Sequence, residues 1–336
     1  MTEARVIGKS EVSDLLDQLA QERQVVAPAR REGVVRYERI ASGMEAALDC
    51  ANSDAPPKEV FLPCSEQMFS YRDSQVEELL PRQPQVLFGV RPCDAHSFLL
   101  LDRVFGDPDH SDPYYLARRE HTIVVGMSCT HPLSTCFCTS LGGGPFDTAG
   151  MDVMLSDLGE AYLVEVLSGK GRGLLEGNSL LERAGDSHLR AKEAVACQAE
   201  RSIRSGVVTE GIKAQLDSMY DDPFWEELSQ KCLGCGVCSF LCPTCHCFDI
   251  LDEPENAEGW RTRLWDCCQF ALFTLHASGH NPRPSAKERL RQRFMHKFSY
   301  FVANYGEVAC VGCGRCVRRC PVNLDVRAVL GRVMER

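Results

Sequence analysis

No stretch of this chain approaches the roughly 18 consecutive apolar residues of a membrane-spanning helix. The opening residues, MTEARVIGKSEVSD, lack the apolar core of a signal peptide. Together these absences set aside an exported or bilayer-crossing protein, and the expected compartment is cytoplasmic. Nucleotide fingerprints are missing too: neither G-x-G-x-x-G nor G-x-x-x-x-G-K-[ST] occurs, so no hydride-carrying dinucleotide site is legible. Basic charge is also in deficit. Lys and Arg number 37 against 47 Asp and Glu, a net charge of −10, which argues against nucleic acid as a partner.

What the chain has in quantity is cysteine, 19 residues in 336. Reducing conditions in the cytosol disfavour a disulfide framework, and thiolate-bound metal accounts better for the thiols. Their arrangement is specific. Residues 231–249 read KCLGCGVCSFLCPTCHCFD and residues 309–321 read ACVGCGRCVRRCP. Each contains Cys-x2-Cys-x2-Cys-x3-Cys-Pro, the spacing of bacterial ferredoxins, in which three thiolates grip one [4Fe–4S] cubane and the fourth reaches to the other. If that crossover holds, one cluster takes Cys232, Cys235, Cys238 and Cys320, and the second takes Cys310, Cys313, Cys316 and Cys242. The fourth Cys of each run is expected to start a helix, because the following Pro243 or Pro321 fits the first helical position, where a missing N–H costs little. A pair of zinc knuckles is the competing reading, but four closely spaced Cys repeated with a following Pro exceed the usual tetrahedral set.

Upstream, residues 11–22 have helical apolar spacing with Ser10 as N-cap. Residues 33–40 are strand-like. In QVLFGVRPCDAHSFLLLDRVFG, residues 85–106, an apolar strand runs into a Pro-Cys turn and a helix capped by Asp94. A second strand, TIVVGM, breaks at Ser128-Cys129. Two strands with Cys at their carboxyl ends predict an α/β layer whose site collects there. The following loop, CTHPLSTCFCTSLGGGP, adds Cys136 and Cys138. With Cys93 and Cys129 these make four thiols for a third cluster, against the alternative of small buried residues. Cys64 is a reserve ligand, while Cys50 and Cys197 read as single buried residues. The triple glycine, residues 142–144, reads as a turn. A hairpin from Met151 closes the N-terminal layer, and polar helical sequence follows from about residue 173 to 227.

Four thiols remain unassigned: Cys245 and Cys247 beyond the first motif, and the adjacent Cys267-Cys268. They replace a ligand, form another centre or shield a cluster, and the sequence leaves these open. His246 reads as hydrogen-bonded rather than ligating. The basic run from Arg283 to Lys297 is either a solvated helix face or a set of cations that tunes an anionic cluster and docks an acidic partner.

These segments, with RLWDCCQF and HNPRPSAKERLRQRFMHKF, resemble over nearly the whole chain an iron–sulfur protein found both in sulfhydrogenases, as their beta subunit, and in anaerobic sulfite reductase. The strand and helix patterns above give an N-terminal α/β domain (1–170) and a helical bridge (171–225), and the resemblance implies that an all-helical dicluster ferredoxin-like domain (226–336) follows, so that the whole is expected to be an α+β protein. The resemblance also implies a non-catalytic electron conduit, an electron-transfer subunit of an anaerobic oxidoreductase complex. The partners it implies are a flavin- and NAD(P)-binding subunit with a [2Fe–2S] centre and a catalytic hydrogenase or reductase subunit. It favours functional use of Cys93, Cys129, Cys136 and Cys138, and it marks Cys267 as a departure, with Cys268 the matching thiol. The rival reading is an enzyme in its own right, a catalytic iron–sulfur or flavin reductase with its active site in the N-terminal domain. A redox-sensing interaction protein is a third.

Overall fold

A computed structural model describes residues 4–73, 75–255 and 258–336. The start of the segment read for a signal peptide, residues 1–3, lies outside them. The strands of the first half, in chain order, are β1 (Ala4–Gly8), β2 (Gln24–Arg31), β3 (Val34–Arg39), β4 (Ser65–Arg72), β5 (Gln75–Glu78), β6 (Gln85–Val90) and β7 (Thr122–Met127). They continue with β8 (Val153–Asp157), β9 (Ala161–Val166), β10 (Glu182–Arg183), β11 (Phe248–Glu255) and β12 (Glu258–Trp265). The chain divides into two compact units, each discontinuous in sequence. Unit 1 is Met1–Val60, Pro81–Ser205 and Val311–Cys313, and unit 2 is Phe61–Leu80, Gly206–Cys310 and Gly314–Arg336.

Unit 1 is built on an eight-stranded sheet in the order β10-β1-β9-β8-β7-β6-β2-β3. Its centre is parallel, β2 to β6, β6 to β7 and β7 to β8, whereas the flanking pairs are antiparallel. The central strands read as nearly continuous apolar runs because both faces are covered; every residue of β7 is buried. One face packs on the helix Val12–Glu22, whose Val12, Leu15, Leu16 and Leu19 join the core at helical spacing. That helix starts one residue later than its sequence indicated, with Glu11 rather than Ser10 at the cap position. Ser10 lies inside a 3-10 turn, Lys9–Glu11, and the Glu11 carboxylate accepts the Gly8 N–H at 2.9 Å instead. After β6, the helix Pro92–Phe105 places Pro at its first position, with Arg91 rather than Asp94 as the flanking cap residue. Asp94 is buried in the first turn.

The all-helical expectation for the C-terminal region is overturned. Strands β11 and β12 form an antiparallel hairpin with Phe248 opposite Trp265, and β12 pairs on its other side with β4, which pairs with β5. The resulting four-stranded sheet belongs wholly to unit 2. Two features conceal it in the sequence. Strand β11 is an edge strand wet enough to leave Ile250 and Leu251 both exposed, so it shows no alternation. Strand β12 buries Arg263 against Glu66 of β4, which inverts the polar-out reading of that position. The remainder of unit 2 is helical, with Phe224, Trp225, Phe294 and Phe298 at its core. Among the described residues no helix is long and apolar enough to cross a membrane.

A buried ion pair is costly to break one-sidedly, because the survivor keeps its desolvation penalty without its partner. Glu66→Ala is therefore expected to destabilise unit 2 by about 3–5 kcal/mol. Chemical denaturation followed by tryptophan fluorescence checks this, since Trp260 and Trp265 both sit on β12.

Candidate iron–sulfur centres

The two ferredoxin runs begin alike. Gly234 and Gly236 of the first adopt φ of +64° and +75°, and Gly312 and Gly314 of the second adopt +64° and +72°. Such left-handed conformations are readily open only to glycine, and alternating them with right-handed residues turns successive N–H groups inward, toward an anion. Gly234 N–H indeed donates to Cys232 Sγ at 3.4 Å. A short helix follows in each run, Val237–Phe240 and Arg315–Arg318, carrying the third Cys. No helix begins at either Pro. Pro243 and Pro321 open turns; the chain after Pro243 goes on to β11, and the last helix waits until Val326, capped by Asp325.

Cys232, Cys235, Cys238 and Cys320 line one apolar pocket, together with Cys316, Leu290, Phe294 and Val326. Leu324 N–H donates to Cys320 Sγ at 3.2 Å, and Cys232 Sγ lies 3.9 Å from Gln269 Oε1. Cys242 stands apart from this group. Its sulfur accepts from Lys297 Nζ at 3.3 Å and lies 3.1 Å from Thr244 Oγ1, and both Lys297 and Thr244 also donate to the carbonyl of Ala309, the residue before Cys310.

The cations come from one helix. Residues Ala286–Met295 are α-helical, His296–Tyr300 form a π turn and Phe301–Tyr305 resume the α-helix. Ser285 and Glu288 form a capping box at its start. Arg293 and Lys297, four residues apart, share the inner face. Both are buried, at 6% and 5% exposure. Arg293 donates to Cys238 O at 2.9 Å, Ser239 Oγ at 3.1 Å and Cys245 Sγ at 3.6 Å, and among the described residues no carboxylate partners it. Burial works against its charge, yet the thiolates of Cys238, Cys245, Cys316 and Cys242 hold its pKa well above the ordinary arginine value. Burial likewise opposes the Lys297 charge, and Cys242 and Cys245 raise its pKa above that of an ordinary lysine. The Cys245 thiol donates to Cys242 and, against the penalty of burial, Lys297 and Arg293 help to keep Cys242 well below the usual thiol range. Two buried cations facing only thiols and neutral groups require anions, and an anionic thiolate cluster is what fits. Of the basic run, therefore, these two members face thiols, whereas Arg289 and Arg291 bond backbone carbonyls nearer the surface.

Unit 1 holds a second gathering of thiols. Cys93 follows β6 and Cys129 follows β7, at the carboxyl ends of adjacent parallel strands, and the loop after β7 brings Cys136 and Cys138. All four line one pocket with Arg91, Asn52 and Gly312. The segment Val311–Cys313 contributes backbone: Gly312 O accepts from Phe137 N at 2.9 Å, and Cys313 O accepts from Asn52 Nδ2 at 3.2 Å and from Cys136 Sγ at 3.9 Å. A Cβ on Gly312 would stand 2.5 Å from Cys138 N, so this approach demands glycine. Burial pushes the Cys129 thiol up to about 11, although Arg91 draws it down. Burial and the neighbouring Cys136 and Cys129 push Cys138 up to about 12. Arg91 is buried and donates to the carbonyls of Ser128, Leu48 and Cys50, but its Nε has no hydrogen-bond partner among the described residues. An orphaned guanidinium N–H beside four thiols fits an anionic cluster there as well.

The triple glycine is a turn: Gly142, at φ +77°, ends a 3-10 turn over Cys138–Leu141. Cys64 belongs to unit 2, at the head of β4, and is exposed. Cys197 is exposed and Cys50 half-buried, so neither is the buried singleton expected. His246 Nδ1 lies 3.1 Å from Thr244 O. What sequence reasoning missed is Arg91 and the pairing of Arg293 with Lys297 on one inward face. The i, i+4 spacing of the latter was a signal present in the sequence.

Among the described residues no three His, Cys, Asp or Glu side chains converge as ligands of a single metal ion would. A cubane asks for wider spacing, since each thiolate binds a different iron.

A 4Fe-4S dicluster domain family matches residues 231–324. Sulfhydrogenase 2 subunit beta of Pyrococcus furiosus is 34% identical over 325 residues, which cover 96% of this chain and 96% of that protein. No solved structure matches. With [4Fe–4S] cofactors thus supported and the similarity running nearly end to end, the chain belongs to the sulfhydrogenase beta-subunit family.

Proposed function

We propose that this protein is a one-electron relay subunit carrying two [4Fe–4S] clusters in its ferredoxin runs and a third in unit 1. It passes electrons between a flavin- and NAD(P)-binding subunit with a [2Fe–2S] centre and a catalytic hydrogenase or reductase subunit. Cys232, Cys235, Cys238 and Cys320 ligate the first cluster. Cys310, Cys313, Cys316 and Cys242 ligate the second, and Cys93, Cys129, Cys136 and Cys138 the third. The observation that carries the reading is the burial of Arg293 and Lys297 among thiols with no carboxylate partner among the described residues.

Each cluster, when bound, accepts and returns a single electron without making or breaking a bond to substrate. The protein's part is environmental. N–H donors such as Gly234 and Leu324 lower the negative charge on thiolate sulfur. Leu290, Phe294 and Val326 keep water from the first pocket. Arg293 and Lys297 favour the reduced, more negative state, because a fixed positive charge is worth more to a larger anion. No side chain is required as acid, base or nucleophile. The relative's name, a subunit, supports partner chains for this one as well.

Cys238→Ala is expected to abolish electron flow through the assembled complex while the catalytic partner stays active with artificial donors. Loss of both activities together counts against a pure relay. Lys297→Met is expected to shift one cluster to a more negative potential, read by EPR-monitored redox titration. At about 4 Å and an effective dielectric near 20, the charge removed is worth roughly 4 kcal/mol before solvent and structural relaxation reduce it.

A further inference from the structure

The hairpin that overturns the all-helical expectation also gathers the thiols that no cluster assignment uses. Phe248 pairs with Trp265, and the ladder runs one step further, with Asp266 N–H donating to Cys247 O at 3.0 Å. The chain just before β11 and the chain just after β12 therefore lie side by side. Cys247 and Cys268 meet there, with Cys267 beside Cys268. Cys267 is fully buried and Cys268 nearly so, at 0% and 9% exposure. Cys245 joins them through Arg293, which reaches Cys245 Sγ at 3.6 Å and Ser239 Oγ at 3.1 Å, while Ser239 Oγ in turn lies 3.9 Å from Cys268 Sγ. The same arginine donates to Cys238 O. Four thiols, one buried cation and one hydroxyl thus form a continuous polar island, which adjoins the second run's site where the Cys245 thiol donates to Cys242.

Simple core packing explains this poorly. Isolated buried thiols are small apolar fillers, but here the thiol hydrogens are spent on other sulfurs. Cys247 and Cys267 both donate to Cys268, whose sulfur also lies 3.9 Å from Ser239 Oγ. Buried sulfurs converging beside a cation make a metal-ligand environment.

We propose that Cys245, Cys247, Cys267 and Cys268 bind a further iron–sulfur cluster, distinct from the two in the ferredoxin runs and from that of unit 1. When ferrous and ferric iron and inorganic sulfide are supplied, each thiol exchanges its proton for a bond to one iron, and the protons pass to solvent. Arg293 spans this centre and the Cys238 loop, so it offsets the negative charge of both. The site exchanges one electron at a time with the cluster at Cys238, which is its source and sink. The inference rests on the relay reading of unit 2.

The test uses the full-length chain, loaded anaerobically with ferrous and ferric iron and inorganic sulfide and analysed for iron, acid-labile sulfide and reduced-state EPR. Wild type is expected to hold about sixteen irons and as many sulfides, counting four per cubane. Cys247→Ala/Cys268→Ala is expected to hold about twelve, with one signal fewer. An unchanged iron count in that variant overturns the proposal, as does recovery of a Cys247–Cys268 disulfide or of zinc from loaded wild type. Should the variant fail to fold, wild type and Cys129→Ala/Cys136→Ala decide instead. A wild-type content of about sixteen supports the proposal, and about eight overturns it. About twelve that fall to eight in Cys129→Ala/Cys136→Ala overturn it; about twelve that stay at twelve support it and overturn the third cluster of unit 1.

Discussion

Charge neutrality in the interior of unit 2 is the constraint from which most of its architecture follows. An arginine and a lysine are withdrawn from water on one helix face, and among the described residues no carboxylate accompanies them. Burying unpaired cations would cost far more than a domain's entire stability margin, so the anions must be the sulfurs. The helix Ala286–Met295 with its π turn, the Cys242 turn pinned to Ala309 and the short helix holding Cys238 are positioned around that demand. Protein and iron–sulfur centre are in this sense mutually dependent. The sulfurs offset the cations, and the cations lower the electrostatic penalty of packing anionic clusters into an apolar core.

Unit 1 meets the same problem with a different fold. Parallel strands direct Cys93 and Cys129 to one edge, and a loop supplies Cys136 and Cys138, while Arg91 serves as the single buried cation among the residues lining that pocket. Here the charge is held mostly by backbone carbonyls, those of Ser128, Leu48 and Cys50. The thiols are correspondingly less ionised than Cys242, with Cys129 and Cys138 lying above the ordinary range.

Much of this was legible in local pattern. The strands at residues 85–90 and 122–127 declare themselves by continuous apolar composition and by the Cys that ends each unit, and the hairpin after Met151 by its two short apolar runs. The repeated Cys spacing needed no long-range information, because all its content lies within a dozen residues. The four-stranded sheet of unit 2 was not legible, and the reason is physical. Its hydrophobic alternation is broken by an edge strand solvated on both faces and by a buried Arg263, and its partner β4 lies nearly two hundred residues earlier. Which strand β12 pairs with is not encoded in local pattern when the partner is that distant in sequence. Helix starts were misplaced at Ser10, Pro243 and Pro321 because a cap or a proline permits a helix without requiring one.

The placement of β4 has a consequence for the nascent chain. Strand β4 ends at Arg72, and its partner across the ladder begins at Glu258. At a synthesis rate of about 5–20 residues per second, roughly 10–40 seconds separate their emergence from the ribosome. During that interval one edge of β4 offers unsatisfied N–H and C=O groups, the usual template for pairing with another chain. Residues 226–336 synthesised alone would inherit the reciprocal defect, a hairpin lacking its third strand. The protein's maturation thus depends on shielding an early segment until a late one arrives, in the same period in which its thiols await iron.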